Sequence, residues 1–301
     1  MQHLTLDASG ALYAADARGL PALHIAPSAL KPVSRPSVIL INGFNFNPSL
    51  DNDDNPHRGL FTKRWLPHLM HLPHIARGNA DLLGFGWFSA ELKISSWVRA
   101  WLNGRYNPYR WGWDLAKKAA GVLSLVIGWD PGLDDPRHLQ PQLPPVDIIA
   151  HSLGVRVALA ALRQVQPHRI RRVLLLNGAE YSQTARVVAA YSQAEVLNVV
   201  VQDDDVLALL GRAFAPEHFI AKVVGRDGII GPPRHWADVT LDDPQVQARA
   251  ASAGWPDLEG NCPNQRSDHW YSYEHAPNWA LFKSFLSGER SAATIAGIIN
   301  G

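Results

Sequence analysis

The sequence predicts an α/β fold with a mostly parallel central sheet flanked by helices, and three observations support this prediction. Largely apolar runs at residues 37–41, 172–176 and 196–201 are typical of strands that are buried on both faces. Helical patterns separate the runs, and alternation of strand and helix favours a parallel sheet. The chain has 301 residues, of which 47% are hydrophobic and 18% charged, so it can bury the large core that such a sheet needs.

Composition excludes several classes of partner. A formal net charge of +1 provides no basic field for nucleic acid or an anionic membrane. The amino terminus shows no signal-peptide pattern, and no apolar run is long enough to span a bilayer. The single cysteine, Cys262, excludes an internal disulfide framework and suits a reducing compartment. We therefore expect a cytoplasmic protein that acts on a small molecule, with no nucleic-acid partner and no integral membrane segment.

The predicted elements form one domain over residues 1–301. Residues 2–27 read as antiparallel strands at an edge of the sheet, because short apolar stretches alternate with turn residues. Residues 211–266 carry the weakest patterns of the chain. In order, the elements predicted after the edge are strands at 37–41 and 81–89, a helix at 115–127, a strand at 146–151, a helix from 154 to about 166, strands at 172–178, 196–201 and 237–241, and helices at 243–253 and up to 286.

The strand at 146–151 leads into the most informative pattern of the chain. An apolar run ends at Ala150, Ser152 follows two residues later, and a helical pattern begins at Gly154. When a strand turns this sharply into a helix, the serine between them is exposed at the carboxyl edge of the sheet and the residues two before and two after it must be small. The helix also points its first-turn N–H groups and the positive end of its dipole at this serine. The pattern predicts a nucleophile elbow.

This elbow resembles that of the α/β-hydrolase superfamily, specifically its serine hydrolases, with Ala150 in place of the usual first glycine. The resemblance implies that Ser152 is the nucleophile and that two backbone N–H groups form an oxyanion hole. One would belong to Leu153. The other would belong to Phe44, since the strand at 37–41 ends in Asn42-Gly43-Phe44 where the family has His-Gly-x.

The same resemblance implies an acid and a histidine that follow the serine in the order Ser, Asp, His. The acid commonly stands as Asp-x-Val after a strand, which selects Asp204, with Asp205 as the alternative. The histidine stands in a loop several residues before a proline that starts the last helix. His269 precedes Pro277 by eight residues and is the predicted base, with His275 as the alternative.

An aromatic-rich insertion is predicted at about residues 88–113, in a chain that contains eleven tryptophans. In this superfamily, insertions at sheet edges commonly form caps over the nucleophile. Large aromatic side chains need a core or a ligand to cover their apolar area. We therefore expect Asn45, Trp87, Trp97 and Trp101 to line a substrate pocket, while packing within the insertion is the alternative.

These features predict a serine esterase or lipase-like hydrolase that cleaves a carboxylic ester or thioester through an acyl-enzyme. The chemistry requires no metal and no organic cofactor. Sequence patterns at metal-ligand or nucleotide-phosphate spacing are absent. Two alternatives stay open: an acyltransferase that uses the same triad, and a non-catalytic ligand-binding protein of the same fold.

Overall fold

A nine-stranded sheet forms the centre of the computed structural model, which describes residues 1–16, 18–89, 108–128, 143–208, 222–260 and 269–301. All nine strands lie in one sheet. They are β1 (Gln2–Leu6), β2 (Leu12–Ala15), β3 (Pro21–Ile25), β4 (Ser37–Ile41), β5 (Asp81–Trp87), β6 (Val146–His151), β7 (Ile170–Leu176), β8 (Glu195–Val200) and β9 (Trp236–Thr240).

The strand order is β3-β2-β1-β5-β4-β6-β7-β8-β9. The pairs β1–β2 and β2–β3 are antiparallel, and every other neighbouring pair is parallel. The antiparallel edge lies at the amino-terminal strands, as the alternation of short apolar stretches with turns predicts. The mostly parallel sheet is confirmed.

Helices cover both faces of this sheet. They are a π-helix (His57–Trp65) that continues into α1 (Leu66–Leu69), then α2 (Pro73–Ala76), α3 (Pro108–Ile127), α4 (Gly154–Leu162), α5 (Ser182–Tyr191), α6 (Val224–Asp227), α7 (Pro244–Ser252), α8 (Tyr271–Glu274), α9 (Asn278–Ser287) and α10 (Ala292–Asn300). Short 3₁₀ turns occur at Pro27–Ala29 and Pro167–Arg169. In the ranges that the structure describes, no helix combines the length and the apolar character needed to cross a membrane.

Two hydrophobic clusters form the core, one on each face of the sheet. In β4, Ile39 and Ile41 pack with α3, α4 and α5, whereas Val38 and Leu40 pack with the π-helix, α9 and α10. All four side chains are buried. Successive side chains of a strand point to opposite faces, so a strand that is apolar at every position must be covered on both sides.

The structure moves the start of the helix that was predicted at residues 115–127. α3 begins at Pro108, so residues 108–113 belong to a helix and not to the predicted insertion, of which residues 90–107 lie outside the described part of the chain. Within residues 211–266, β9 and α7 lie within one residue of the strand and helix predicted there. Residues 209–221 and 261–268 of the poorly patterned region are not described.

The topology selects one position on the carboxyl edge of the sheet. From β4 the chain passes to β5 on one side, and it returns to add β6 on the other side. Strand order therefore reverses between β4 and β6, and ligands of open α/β sheets bind at the carboxyl ends of the strands where such a reversal occurs. Residues 42–45, which follow β4, and Ser152, which follows β6, both lie at this point.

Candidate active site

Ser152 occupies a sharp turn between β6 and α4. Its φ of 52° lies in the left-handed region, which residues other than glycine rarely adopt. Its backbone is held by the end of β7 and the residues after it: the N–H donates to the carbonyl of Leu176 at 2.9 Å, and the carbonyl accepts from the N–H of Ala179 at 2.9 Å. Backbone strain of this kind persists only where the surrounding structure enforces it, and it is typical of functional sites.

Two glycines make room for this turn. A methyl group on Gly43 would lie 2.8 Å from Cβ of Ser152 and 2.9 Å from Nδ1 of His151, so the chain after β4 passes directly beside the serine. A methyl group on Gly154 would overlap the carbonyl oxygen of Asn42. The small residues that the sequence places here therefore allow β4 and the start of α4 to approach closely.

Gly154→Ala is expected to destabilise the protein by about 1–3 kcal/mol, because the added methyl group meets fixed backbone. Gly121→Ala is the matched control, since Gly121 lies within α3 and a methyl group there would have no heavy atom within 4 Å. Alanine is the better helix former, so this control should be neutral or stabilising by up to about 1 kcal/mol. Urea unfolding of both variants measures the difference, and equal stability would contradict the close packing.

The turn after β4 is anchored through Asn42, which replaces the histidine common in the resembling family. Its fully buried side chain accepts from the N–H of Trp87 at 2.9 Å and donates to the carbonyl of Gly43 at 2.9 Å. Ser89 adds a hydroxyl that donates to the same Gly43 carbonyl at 2.7 Å. These bonds connect the turn to the end of β5, so Asn42 fixes the backbone that leads into Phe44.

Asp204 and His269 form a buried hydrogen-bonded pair. Nδ1 of His269 lies 2.6 Å from Oδ2 of Asp204, and the two side chains are 3% and 1% exposed. The other carboxylate oxygen accepts from the N–H of Leu207 at 3.0 Å. Asp204 therefore caps the helical turn that begins at residue 205 and holds His269 at the same time.

The Asp204 carboxylate stays ionised. Burial raises the pKa of this carboxyl group. The charge of His269 and hydrogen bonds from His269, Leu207 and Asn177 lower the pKa by more, so that it lies below the ordinary value. An ionised acceptor at Nδ1 requires a proton on that nitrogen. The neutral ring then carries its lone pair on Nε2.

His151 connects the elbow to the histidine. Its ring centroid lies 4.8 Å from that of His269, and its Nε2 lies 3.3 Å from the backbone carbonyl of His269. Burial, and then the neighbouring His269, lowers the pKa of His151 well below the ordinary value, which keeps the ring uncharged. Because His151 directly precedes Ser152, this contact brings the chain of the elbow next to His269.

Nε2 of His269 is buried and has no hydrogen-bond partner among the described residues. Ser152 and His269 are therefore not hydrogen-bonded in this structure. In enzymes without substrate, catalytic hydrogen bonds are often long or poorly aligned and shorten only in the substrate complex. The free Nε2 is the atom that a general base needs.

The alternative residues lie elsewhere. Asp205 is exposed, and Asp203 is exposed with its N–H donated to Asp242 at 2.9 Å. His275 contacts the Tyr271 hydroxyl at 2.9 Å and the Asp257 carbonyl at 2.7 Å.

Two buried polar residues of this site were missed in the sequence. Asn177 donates to Oδ2 of Asp204 at 2.9 Å, and the hydroxyl of Ser272 donates to Oδ1 of Asn177. Both side chains are fully buried. The signal that could have found Asn177 is its place directly after the apolar run of β7, at the carboxyl edge of the sheet.

The structure describes two of the four residues expected to line a substrate pocket, Trp87 and Asn45. The prediction for Trp87 is wrong: its side chain has no exposed surface, packs in the core, and donates its indole N–H to the Asn42 carbonyl at 2.7 Å. An aromatic residue inside a buried strand is covered by the layers on both faces. Asn45 is exposed and has a φ of 70°, whereas Trp97 and Trp101 lie outside the described ranges.

In the described ranges, no group of three or more His, Cys, Asp or Glu side chains converges as ligands of a metal ion.

One comparison with known proteins gave a match. A family model described as serine hydrolase matches residues 132–206, about a quarter of the chain, a range that contains β6, the elbow and Asp204. No match was found among curated proteins or among solved structures. The family match and the mostly parallel sheet fit a serine hydrolase of the α/β-hydrolase type, and the match supports a hydrolase with a serine nucleophile.

Proposed function

We propose that this chain, which fits a serine hydrolase of the α/β-hydrolase type, cleaves a carboxylic ester or thioester through an acyl-enzyme. Ser152 is the nucleophile, His269 the general base and Asp204 the acid that orients it. The observation that carries the proposal is the buried Asp204–His269 hydrogen bond of 2.6 Å beside a serine in a strained turn. A structural ion pair needs no serine next to it, whereas nucleophilic catalysis does.

The proposed reaction begins with attack of the Ser152 hydroxyl oxygen on the acyl carbonyl carbon. Nε2 of His269 takes the hydroxyl proton, and Asp204 stabilises the imidazolium that results. The carbonyl oxygen becomes an oxyanion, which the backbone N–H groups of Phe44 and Leu153 would bind. His269 then gives its proton to the departing alkoxide or thiolate, and the acyl group remains on Ser152.

Water completes the proposed cycle. His269 removes a proton from the water as it attacks the acyl-enzyme carbonyl, and it returns that proton to the Ser152 oxygen as the ester bond to the serine breaks. The products are a carboxylic acid and the free enzyme. An alcohol that replaced water in this step would make the same site an acyltransferase, so product analysis with an added alcohol distinguishes the two activities.

We place the acyl side of the substrate next to the segment that contains Trp97 and Trp101. Both described ends of that segment approach the site: the Ser89 hydroxyl donates to the Gly43 carbonyl at 2.7 Å, and a methyl group on Gly112 would lie 3.3 Å from the side chains of Leu153 and Phe44. A tryptophan between these ends would favour hydrophobic or aromatic acyl groups.

Steady-state kinetics over a series of p-nitrophenyl esters tests this function. We expect kcat/KM to rise from acetate to longer or aromatic acyl groups, and Trp97→Ala or Trp101→Ala to reduce that rise. Tyr191→Ala is the control, because Tyr191 is 81% exposed on α5. Unchanged chain-length preference in both folded tryptophan variants would mean that other residues build the pocket, and no hydrolysis of any ester would contradict the esterase proposal.

A further inference from the structure

We infer that Asn177 is a positioning residue, which holds the Asp204 carboxylate in register with the Ser152 turn and is itself oriented by Ser272. The inference rests on the proposed function, because it assigns Asn177 a role in the reaction of that site. Asn177 is not expected to touch substrate. It acts through Asp204.

The first support is the pair of atoms that Asn177 bonds. Its amide N–H₂ donates to Oδ2 of Asp204 at 2.9 Å, the same oxygen that lies 2.6 Å from Nδ1 of His269. Its amide oxygen accepts from the hydroxyl of Ser272. Because the ionised Asp204 carboxylate can only accept, the amide must turn its nitrogen toward Asp204, which leaves its oxygen for the Ser272 hydroxyl.

The second support is the position of Asn177 in the chain. It lies between Leu176, which accepts from the Ser152 N–H, and Ala179, which donates to the Ser152 carbonyl, both at 2.9 Å. Its φ of 46° is left-handed, a conformation that asparagine tolerates better than most residues. One short segment therefore holds the backbone of the nucleophile and the side chain of the acid.

The third support is that the contacts close a ring. Ser272 lies three residues after His269 and is fully buried. The path runs from His269 to Asp204, to Asn177, to Ser272, and returns through the chain to His269. A displacement of the acid would break a buried hydrogen bond, which is costly when the partner is charged.

Asn177→Asp tests the inference, because it keeps the shape and the tolerance for positive φ but replaces the donor by a second carboxylate. When both carboxyl groups are ionised, the added negative charge favours protonation of His269, whose titratable neighbours among the described residues are Asp204 and the neutral His151. We expect kcat/KM to fall about 10- to 100-fold and the acid limb of its pH profile to move upward by about one unit.

Asn198→Asp is the matched control. Asn198 is equally buried in β8, and its amide donates to a partly buried carboxylate, Asp238, at 2.7 Å. The Asn198→Asp variant should lose stability in a similar way, while the acid limb of its kcat/KM profile stays at the wild-type pH. A folded Asn177→Asp protein with an unmoved acid limb, or an equal shift in Asn198→Asp, would overturn the inference.

Ser272→Ala is a second, milder variant that tests the inference even when Asn177→Asp does not fold. This variant removes one hydroxyl. Ser284→Ala is the matched control, because the Ser284 hydroxyl donates to the Leu281 carbonyl in the described part of the chain. We expect Ser272→Ala to reduce kcat/KM about three- to tenfold and Ser284→Ala to leave it unchanged. Equal activity of the two folded variants would contradict a role for the closed path of hydrogen bonds through Ser272.

A titration of the His269 ring by NMR in a Ser152→Ala background separates this inference from the proposed function. The ring of His269 should titrate at higher pH in the Asn177→Asp variant than in its parent, whether or not the enzyme turns over an ester. If wild-type protein hydrolyses no ester but this dependence is seen, the function fails and the positioning role stands. If esters are hydrolysed but the titration does not depend on Asn177, the positioning role fails alone.

Discussion

Replacing Ser152 by alanine is expected to lower turnover of an activated ester by about a millionfold while the protein stays folded, which is the loss known for serine triads. The change removes only the hydroxyl oxygen that the proposed mechanism uses to attack the carbonyl. The backbone bonds of residue 152 to Leu176 and Ala179 involve no side chain, so they remain. Initial rates with a p-nitrophenyl ester, together with the melting temperature, measure the two effects separately.

Ser124→Ala is the control for this variant. Ser124 is fully buried in α3, and its hydroxyl donates to the Ala120 carbonyl at 2.8 Å. The control therefore loses a buried hydroxyl away from the site and should keep its activity. A folded Ser152→Ala protein that retained even a hundredth of wild-type turnover would show that the nucleophile lies elsewhere.

Asp204→Asn is expected to lower kcat by about ten-thousandfold, the loss seen when a triad acid becomes an amide. The amide can donate to Nδ1 of His269, which then carries its proton on Nε2, the nitrogen that must accept the Ser152 proton. Steady-state kinetics with the same ester measures the loss.

Asp203→Asn and Asp205→Asn are the natural controls, because both residues are exposed neighbours of the same chemical type. Each should keep activity within a fewfold of wild type. An equally severe loss in Asp205→Asn, with Asp204→Asn active, would transfer the role of the acid to Asp205 and leave the function of Ser152 in place.

Much of the fold follows from local patterns. The runs at β4, β7 and β8 are largely apolar because strands between two helical layers are buried on both faces. Ala150 and Gly154 reveal the elbow because close approach of a strand and a helix leaves no room for larger side chains. The pair Asp204 and His269 was selected from family spacing, and the structure brings the two side chains into contact, whereas their catalytic roles stay predictions.

The residues that were missed depend on contacts between distant parts of the chain. Asn177 and Ser272 are 95 residues apart in sequence, and no local sequence pattern predicts their contact. Trp87 was expected in a pocket because an aromatic residue at the end of a strand fits a core as well as a ligand site. Its side chain packs in the core and donates to the carbonyl of Asn42, which is 45 residues away in sequence. The start of α3 at Pro108 was hidden by aromatic residues that lack an apolar period.

The most direct test of the central claim is labelling of the intact protein with a fluorophosphonate, which reacts only with an activated serine. The structure predicts one label per chain, located on Ser152 by peptide mapping, absent in Ser152→Ala and strongly slowed in His269→Ala. His275→Ala, the control histidine, should label at the wild-type rate. Labelling of a different serine, or no labelling of folded protein, would contradict the assignment of Ser152 as a nucleophile.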